Sequence, residues 1–375
     1  MKKAVIIIPT YNERENISKL IPILLDIFKG ISTWDMHILV VDDSSPDKTA
    51  DVVREIIKKH PKVHLHLNAK KAGLGHAYIV GMEESFDRMN ADLVFEMDAD
   101  FQHDPYKVPE FLQAVDNGAD LVVGSRYIKG GSIPSHWKLQ RKFLSVVGNW
   151  VNMVVFTNFS IHDWTGGFRA IRKSVFEAVR DDIGEKRLSG YTFQIGFLHK
   201  VLRKGFKIVE VPFAFKDRTS GESKLGPDYI RNALLYIVTA RYQEIVTSHI
   251  FKFGIVGGIG FVINAVALAV FTSKFGIEAG NASAMGAEIA IVSNFILNNF
   301  WTFSERQVNT PVALIKKFIQ FNIASAGAVV IQKVVVTLGT SYTSDNLKFL
   351  WFVVAVAIGM VLNYVIYSKV IWKKK

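Results

Sequence analysis

The chain has 375 residues, no cysteine, a formal net charge of +11, and a composition that is 49% hydrophobic and only 21% charged. Without cysteine there is no disulfide framework, thiolate nucleophile or Cys-based zinc or iron–sulfur centre, and the apolar content excludes a disordered chain. The charge is unevenly spread: residues 1–249 carry 34 Lys+Arg against 30 Asp+Glu, whereas residues 250–375 carry 11 against 4, so a soluble globular part precedes a membrane part.

Met1-Lys2-Lys3 and the apolar residues after it have the outline of a signal peptide. The apolar run breaks at Pro9 with no small-residue cleavage site, so a buried strand over Val5–Ile8 is the better reading. Asn12 is placed to cap a helix beginning at Glu13, which shows Ile17, Leu20, Ile21, Leu24, Leu25 and Phe28 on one face. Strands are predicted over His37–Val41, Val63–Leu67, Leu93–Met97 and Leu121–Gly124. A helix from about Lys48 to His60 and another opening at Gly73-Leu74-Gly75 lie between them. This alternation predicts an α/β domain with a mainly parallel sheet covered on both faces. Ligands bind such sheets beyond the carboxyl ends of the strands. The polar motifs Pro9–Glu13, Asp42–Asp47 and Asp98–Gln102 all fall there and are expected to share one cleft.

Helices are predicted over 134–159 and 190–204, a last strand over Lys207–Phe215, and a polar, turn-rich segment over 216–227. Residues 228–249 have helical patterning just before the membrane part and read as an amphipathic interface helix; an ordinary surface helix is the alternative. Membrane spans are predicted at about 253–273, 279–303, 316–339 and 349–371, making residues 250–375 an all-α bundle; two spans with two buried helices fit the charges less well. With four spans, Arg241 and Lys252, then Arg306, Lys316 and Lys317, then Lys369 and Lys373–Lys375 fall on one side. The positive-inside rule puts that side, and the soluble domain, in the cytoplasm. Glu288 and Lys333 are costly inside a bilayer and lie at similar depths at about 1.5 Å per residue. They are expected to pair or to face the bundle interior, unless Lys333 snorkels to the surface.

Asp98-Ala99-Asp100-Phe101-Gln102 carries the chemistry. In an extended segment Asp98, Asp100 and Gln102 point the same way and offer three hard oxygens suited to Mg²⁺ or Mn²⁺. A lone acidic triplet is common on surfaces; following an apolar strand among the other motifs, it reads as a site. No glycine-rich dinucleotide loop or Walker sequence follows the first strand. Pro9, Tyr11, Asn12 and Glu13 instead form an acidic and aromatic loop suited to a nucleotide, with Tyr11 for stacking and Glu13 and Asp43 as acceptors. Arg126 follows the fifth strand. Arg141 and Ser145 lie one helical turn apart on the next helix, a set suited to a phosphate monoester. Arg218 and Lys224 form a second cationic pair on a loop able to close over a diphosphate. Each of these cations, taken singly, also fits a solvated surface.

Seven strings occur in order: Val5–Glu13, Val41–Asp47, Asp98–Pro105, Gly124–Tyr127, Gly166–Arg169, Gly190–Gln194 and Gly221–Gly226. Together they resemble the family-two, GT-A-type glycosyltransferases, and within them the dolichyl-phosphate mannose synthases. The resemblance covers about residues 4–227. It implies a Rossmann-like GT-A domain over 1–227, with a metal on Asp98, Asp100 and Gln102. It implies a nucleotide on Pro9, Tyr11, Asn12, Glu13, Val41, Asp43, Asp98, Ala99, Asp100 and Gln102, and a lipid phosphate on Arg126, Arg141 and Ser145. The chain departs from that family at Gly196, where an acid often follows the Tyr-x-Phe-Gln string, and this bears on donor preference. Residues 250–375 resemble the GtrA-like four-span proteins through Phe253–Gly260, Asn294–Phe303 and Asn363-Tyr364. The expectation is an inverting transfer of mannose from GDP-mannose to dolichyl (polyprenyl) phosphate at the cytoplasmic membrane face, metal-dependent and without a nucleic-acid partner. A UDP-sugar donor (glucose or an amino sugar) with undecaprenyl phosphate is the alternative. A lipid-sugar flippase with a nucleotide-sensing domain fits less well, because the spans carry few charges for a transport path. A processive polysaccharide synthase would show Arg-Trp after Gln140-Arg141, and this chain does not.

Overall fold

The computed structural model describes residues 1–183, 191–216, 227–342 and 347–373. It divides into two compact units, Met1–Arg241 and Tyr242–Lys375.

The first unit is built on a seven-stranded sheet. Its strands are β1 (Lys2–Thr10), β2 (Trp34–Asp42), β3 (Val63–Leu67), β4 (Leu93–Glu96), β5 (Leu121–Ser125), β6 (Arg169–Arg172) and β7 (Ile208–Pro212). They lie in the order β3-β2-β1-β4-β6-β5-β7. All pairings are parallel except those of β6, which runs antiparallel between β4 and β5. The sequence reading has no element at β6: four residues bounded by arginines carry no legible period. The helices of this unit are α1 (Arg14–Lys29), α2 (Thr49–Ile57), α3 (Leu74–Glu83), α4 (Val108–Asp116), α5 (Leu139–Val155), α6 (Lys173–Ile183), α7 (Tyr191–Arg203) and α8 (Pro227–Thr247), which runs across the division into the second unit. Successive strand residues face opposite sides, so β1 feeds two cores. Val5 and Ile7 pack with Tyr78, Phe176, Phe193 and Tyr236. Ala4, Ile6 and Ile8 pack with Ile17, Leu20, Leu24 and Phe111.

Two helices of this unit carry a second apolar face. On α8, Tyr236, Ile237 and Ala240 are buried in the first core. Ile230, Leu234, Val238, Tyr242 and Ile245 lie on the other side and are exposed. One face of α8 thus packs on the domain, and the other is apolar and exposed. On α5 the buried residues are Asn149 and Asn152, while Leu139, Phe143, Val146, Trp150 and Val154 stand exposed along a helical stripe.

The second unit contains α9 (His249–Phe275), α10 (Ala279–Leu297), α11 (Pro311–Tyr342) and α12 (Lys348–Ile366). Helix α10 packs on α9, and α11 on α12. Among the described residues three helices are long and apolar enough to cross a membrane: His249–Phe275, Pro311–Gly339 and Val353–Ile371. Helix α10 is diluted by Asn281, Glu288 and Asn294. The start of α9, the α10–α11 connection and the end of α12 meet in an aromatic cluster. There Phe303 stacks on Trp372 (4.9 Å between centroids) and on His249 (5.7 Å), and Asn299 accepts from the Trp372 indole at 3.0 Å. Arg306 donates to the Trp372 carbonyl at 3.0 Å, and Lys317 lies over the Trp372 ring, so the basic segments gather at one end of the bundle. The expectation that Glu288 and Lys333 pair or face the interior is not met. Both are exposed, and no ion pair joins them among the described residues. The reason is the seam of α10: Ala282, Gly286, Ala290 and Phe295 are its buried positions, and Glu288 lies about 200° around the helix from Gly286.

Candidate active site

The carboxyl ends of β1, β2, β4 and β5 lie on one edge of the sheet, because all four run in the same direction. Strand β4 is separated from β5 only by β6, about 10 Å at the usual strand spacing. The loops after these strands build the site.

Strand β4 ends at Glu96, and the acidic motif is a turn, not the extended segment expected from the sequence. Phe101 takes a left-handed φ of 63°. The Gln102 amide donates to Asp100 Oδ1 at 3.1 Å, and the Asp98 amide donates to His103 Nδ1 at 3.0 Å. Asp98, Asp100 and Gln102 therefore do not alternate along a strand; they lie on one turn. Asp98 is partly exposed, while Asp100, Gln102 and Ala99 are buried. The Tyr78 hydroxyl, from α3, donates to Asp98 Oδ1 at 2.8 Å. Burial, and then the nearby Asp98 carboxylate, push the Tyr78 phenol well above its ordinary value. His103 stacks on Phe168 at 5.1 Å, and burial lowers its imidazole to about 4. The neutral ring accepts from the Asp98 amide through Nδ1, which puts its proton on Nε2. Among the described residues no three acids or histidines form a closed metal cage. Two aspartates and the Gln102 amide oxygen are a hard but incomplete donor set, suited to a divalent cation shared with phosphate and water.

The nucleotide-side loops are cross-tied. Asn12 is not the cap of α1: it adopts φ 61° and its amide donates to Ser45 Oγ. Capping comes from a distant segment, with the Arg14 amide donating to Asp47 Oδ2 at 3.1 Å and the Glu13 amide to Thr49 Oγ1 at 3.2 Å. Asp43 is buried and accepts from Asn68 Nδ2 (2.7 Å) and the amides of Ala72 (3.1 Å) and Gly73 (3.3 Å). Its carboxylate shapes the loop that opens α3. That loop places Lys71 over the Tyr11 ring at 3.7 Å, a cation the sequence reading missed. Pro9 and Glu13 are partly exposed at the rim, and the Val41 side chain is in the core.

After β5, Arg126 makes a bidentate pair with buried Asp163, Nε and Nη2 each donating at 2.7 Å, and Nη2 also donates to Thr165. Burial would raise the Asp163 carboxyl, but the Arg126 guanidinium holds it below its usual range. Asp163 is held in turn by its own amide, which donates to Glu210. Ser145 is hydrogen-bonded to the Tyr127 hydroxyl. Arg141 lies over Trp137 at 3.7 Å, Trp137 meets Phe215 edge-on, and Arg126 lies over Phe215 at 5.3 Å. The structure thus brings Arg126, Arg141 and Ser145 to one aromatic-walled cluster. The sequence signal for Asp163, the partner of Arg126, was absent, since it sits 37 residues on in a loop with no periodic pattern.

Residues 5–180 match the family model "Glycosyl transferase family 2", and residues 252–372 match "GtrA/DPMS, transmembrane domain". A dolichol-phosphate mannosyltransferase of Pyrococcus furiosus is 35% identical over 377 aligned positions, covering 99% of each chain. The chain belongs to the dolichol-phosphate mannosyltransferase family of glycosyltransferases. Two further relatives align over less of the chain. A polyprenol monophosphomannose synthase of Mycolicibacterium smegmatis is 39% identical, covering 63% of this chain and 86% of its own. An undecaprenyl-phosphate mannosyltransferase of Micrococcus luteus is 37% identical, covering 62% and 90%. In this glycosyltransferase, Arg218 and Lys224 lie outside the described residues. Gly196, where an acid often stands, is buried in the middle of α7. Beneath the acidic turn, β4 places Glu96 opposite Arg169 of β6. Both are fully buried, and burial pushes the Glu96 carboxyl up to about 7.

Proposed function

We propose that this protein transfers mannose from GDP-mannose to a polyprenyl phosphate such as dolichyl phosphate, with inversion, at the cytoplasmic face of a membrane. One observation carries this reading: a single sheet edge presents an acidic turn after β4 and, two strands away, the Arg126–Ser145–Arg141 cluster after β5. The first suits a cation-bound diphosphate and the second a phosphate monoester. The membrane-domain match and the mannosyltransferase relatives support the lipid acceptor and the sugar.

In this reading Asp98 and Asp100, with Gln102, hold Mg²⁺ or Mn²⁺, which when bound neutralises charge on the departing nucleoside diphosphate. Tyr11 and Glu13 receive the nucleotide with Lys71 beside them, and Arg218 and Lys224 close over the diphosphate. Arg126, Arg141 and Ser145 orient the acceptor phosphate. Its second pKa of about 6 leaves it largely ionised at neutral pH, so no general base is required. The phosphate oxygen attacks the anomeric carbon as the bond to the nucleoside diphosphate breaks. The domain plan is a GT-A domain over 1–227, an interface helix over 228–249 and four spans over 250–375. The exposed stripes of α5 and α8 meet the bilayer surface, and the gathering of basic segments at one bundle end supports a cytoplasmic catalytic domain.

The experiment is direct. Protein in detergent or nanodiscs is given labelled GDP-mannose, polyprenyl phosphate and Mn²⁺, with UDP-glucose and UDP-N-acetylglucosamine as parallel donors. Lipid-linked mannose is expected, and Asp100→Ala abolishes it. Product from a UDP-sugar alone would move the donor assignment, and no product from any donor would sink the enzyme reading.

A further inference from the structure

The second unit carries a groove that none of the roles assigned above uses. It runs between α11 and α12 with a volume of about 390 Å³, in the range of sites that hold small ligands. Ile323, Gly327 and Ile331 of α11 line one side. Leu362, Ile366 and Val370, from α12 and the turn that ends it, line the other, and the polar lining residues are Gln320 and Asn363. An added Cβ at Gly327 would meet nothing within 4 Å. Ile323, Gly327, Ile331 and Val370 are exposed, so the groove is open along its length. Its two ends differ in charge. Exposed Lys316 precedes Gln320 by one turn and lies on the same stripe of α11. Lys369 and Lys373, also exposed, lie beside Val370 and three residues beyond it. At the same end Lys317 lies over the Trp372 ring, and Arg306 donates to the carbonyls of Ser368 and Trp372. At the far end Lys333, two residues past Ile331, is turned about 200° around the helix from it. Residues 306–344 and 346–375 contain no acid to offset these cations; the α10–α11 connection holds Glu305.

One apolar channel with cations at one mouth is complementary to a single-chain amphiphile with an anionic head. We propose that this groove is a second binding site for the polyprenyl phosphate acceptor, besides the Arg126 cluster. The isoprenoid chain lies between α11 and α12, and the phosphate meets Lys316, Lys369 and Lys373. The assignment rests on the reading of a polyprenyl phosphate as the acceptor. A phosphate monoester carries about 1.5–2 negative charges at pH 7, more than the phosphodiester head of an ordinary anionic lipid. Inside a bilayer, entry into the groove gains no hydrophobic drive. Packing along the groove therefore selects the shape of the chain, and the lysines supply most of the affinity. A lipid held there stays tethered to the enzyme, which raises the effective concentration of acceptor when it is scarce in the membrane.

The test uses full-length protein in phosphatidylcholine nanodiscs and a polyprenyl phosphate that bears a diazirine on its chain. The sample is irradiated without donor, and labelled residues are mapped by mass spectrometry. Label is expected on residues 320–331 and 362–371. Unlabelled polyprenyl phosphate should compete for it, whereas polyprenol and phosphatidylglycerol at the same mole fraction should not. Gly327→Leu fills the groove and should remove most of that labelling. Lys316→Gln with Lys369→Gln leaves the helix packing untouched and should weaken it about tenfold. In turnover both variants should raise the acceptor KM, with kcat at saturating acceptor and the KM for GDP-mannose near those of the parent. If the parent mannosylates polyprenyl phosphate but takes label only in the first unit, the groove site falls and the acceptor reading stands. If no polyprenyl phosphate is mannosylated, both fall. Labelling of both variants at the parent level overturns the site. Equal competition by phosphatidylglycerol or by polyprenol overturns it as well, since the lysines would then not be selecting a phosphate monoester. A crosslink between two copies across the groove, with the probe excluded, would give the groove to a second copy and overturn the lipid assignment.

Discussion

The two units of this protein bury opposite things. In the α/β unit the strands are apolar and inaccessible, with Val5, Ile6, Ile7, Val40 and Phe95 all fully buried. In the helical unit the large apolar side chains face outward: Phe261, Val312 and Ile323 are 76%, 80% and 68% exposed. Apart from the aromatic cluster at one end, where Phe303, Phe321 and Trp372 are buried, the helices meet through small and polar residues. A Cβ on Gly260 would meet Asn294, and one on Gly286 would meet Asn264; Asn298 and Asn299 are buried. The first unit is folded by water, which drives apolar surface inside. The second is built for a solvent as apolar as leucine, where close approach of helices replaces that drive. Helices α5 and α8 stand between the two regimes, attached to a water-type core and apolar on the side away from it.

Substitutions that act on one unit and spare the other test this contrast. The largest effect is expected at the buried charge pair of the first unit. Asp163→Asn removes the buried carboxylate that Arg126 grips bidentately and should cost about 3–5 kcal/mol of that unit's stability, along with a raised KM for the lipid acceptor. The folded-state pKa of Asp163 is depressed. Its contribution is therefore full above about pH 4, the unfolded value, and is lost as the pH falls through the lower folded value. Thermal unfolding of parent and variant should differ at pH 7 and converge in acid; equal stability at pH 7 would show that the pair contributes nothing.

Next comes Val266→Arg on the outward face of α9, which should disfavour membrane insertion by about 2.5–3.5 kcal/mol. Tyr106→Arg, at a similarly exposed position of the first unit, should change stability by no more than about 0.5 kcal/mol. Equal tolerance of both, measured by membrane fractionation and thermal unfolding, would erase the distinction between the units. Gly286→Ala pushes a methyl against Asn264 and should destabilise the α9–α10 pair by about 1–3 kcal/mol, read as a lower unfolding midpoint in detergent. The smallest effect on folding belongs to Phe143→Glu on the α5 stripe, within about 0.5 kcal/mol. It should nevertheless weaken liposome binding of the isolated first unit, if that unit folds alone, and raise the KM for lipid acceptor in the full chain. Unchanged acceptor kinetics would remove α5 from the membrane contact.

Much of this was legible without coordinates. The break in charge density near residue 249 lies close to the division between the units at Arg241 and Tyr242. The strands over 5–8, 37–41, 63–67, 93–97 and 121–124 were all found within a few residues of their ends. Periodicity and composition are local, and so were these successes. The misses share the opposite property. The cap of α1 comes from Asp47, 33 residues beyond Arg14. The Asp43 carboxylate holds a loop about 30 residues further on, and Glu288 points outward because Gly286 and Ala290 claim the seam.

By itself the sequence determined the class of the protein: an α/β domain with acids and arginines after its strands, then an apolar bundle with basic connections. Those properties follow from residue type and spacing along the chain. Only the tertiary structure decided which donors each carboxylate meets. Asp43, Asp98, Asp100 and Asp163 are the same chemical group. Asp43, Asp98 and Asp163 meet donors that folding brings within 3.3 Å from segments 20 to 37 residues away, whereas Asp100 accepts from Gln102 two residues on, and no local pattern encodes the distant set.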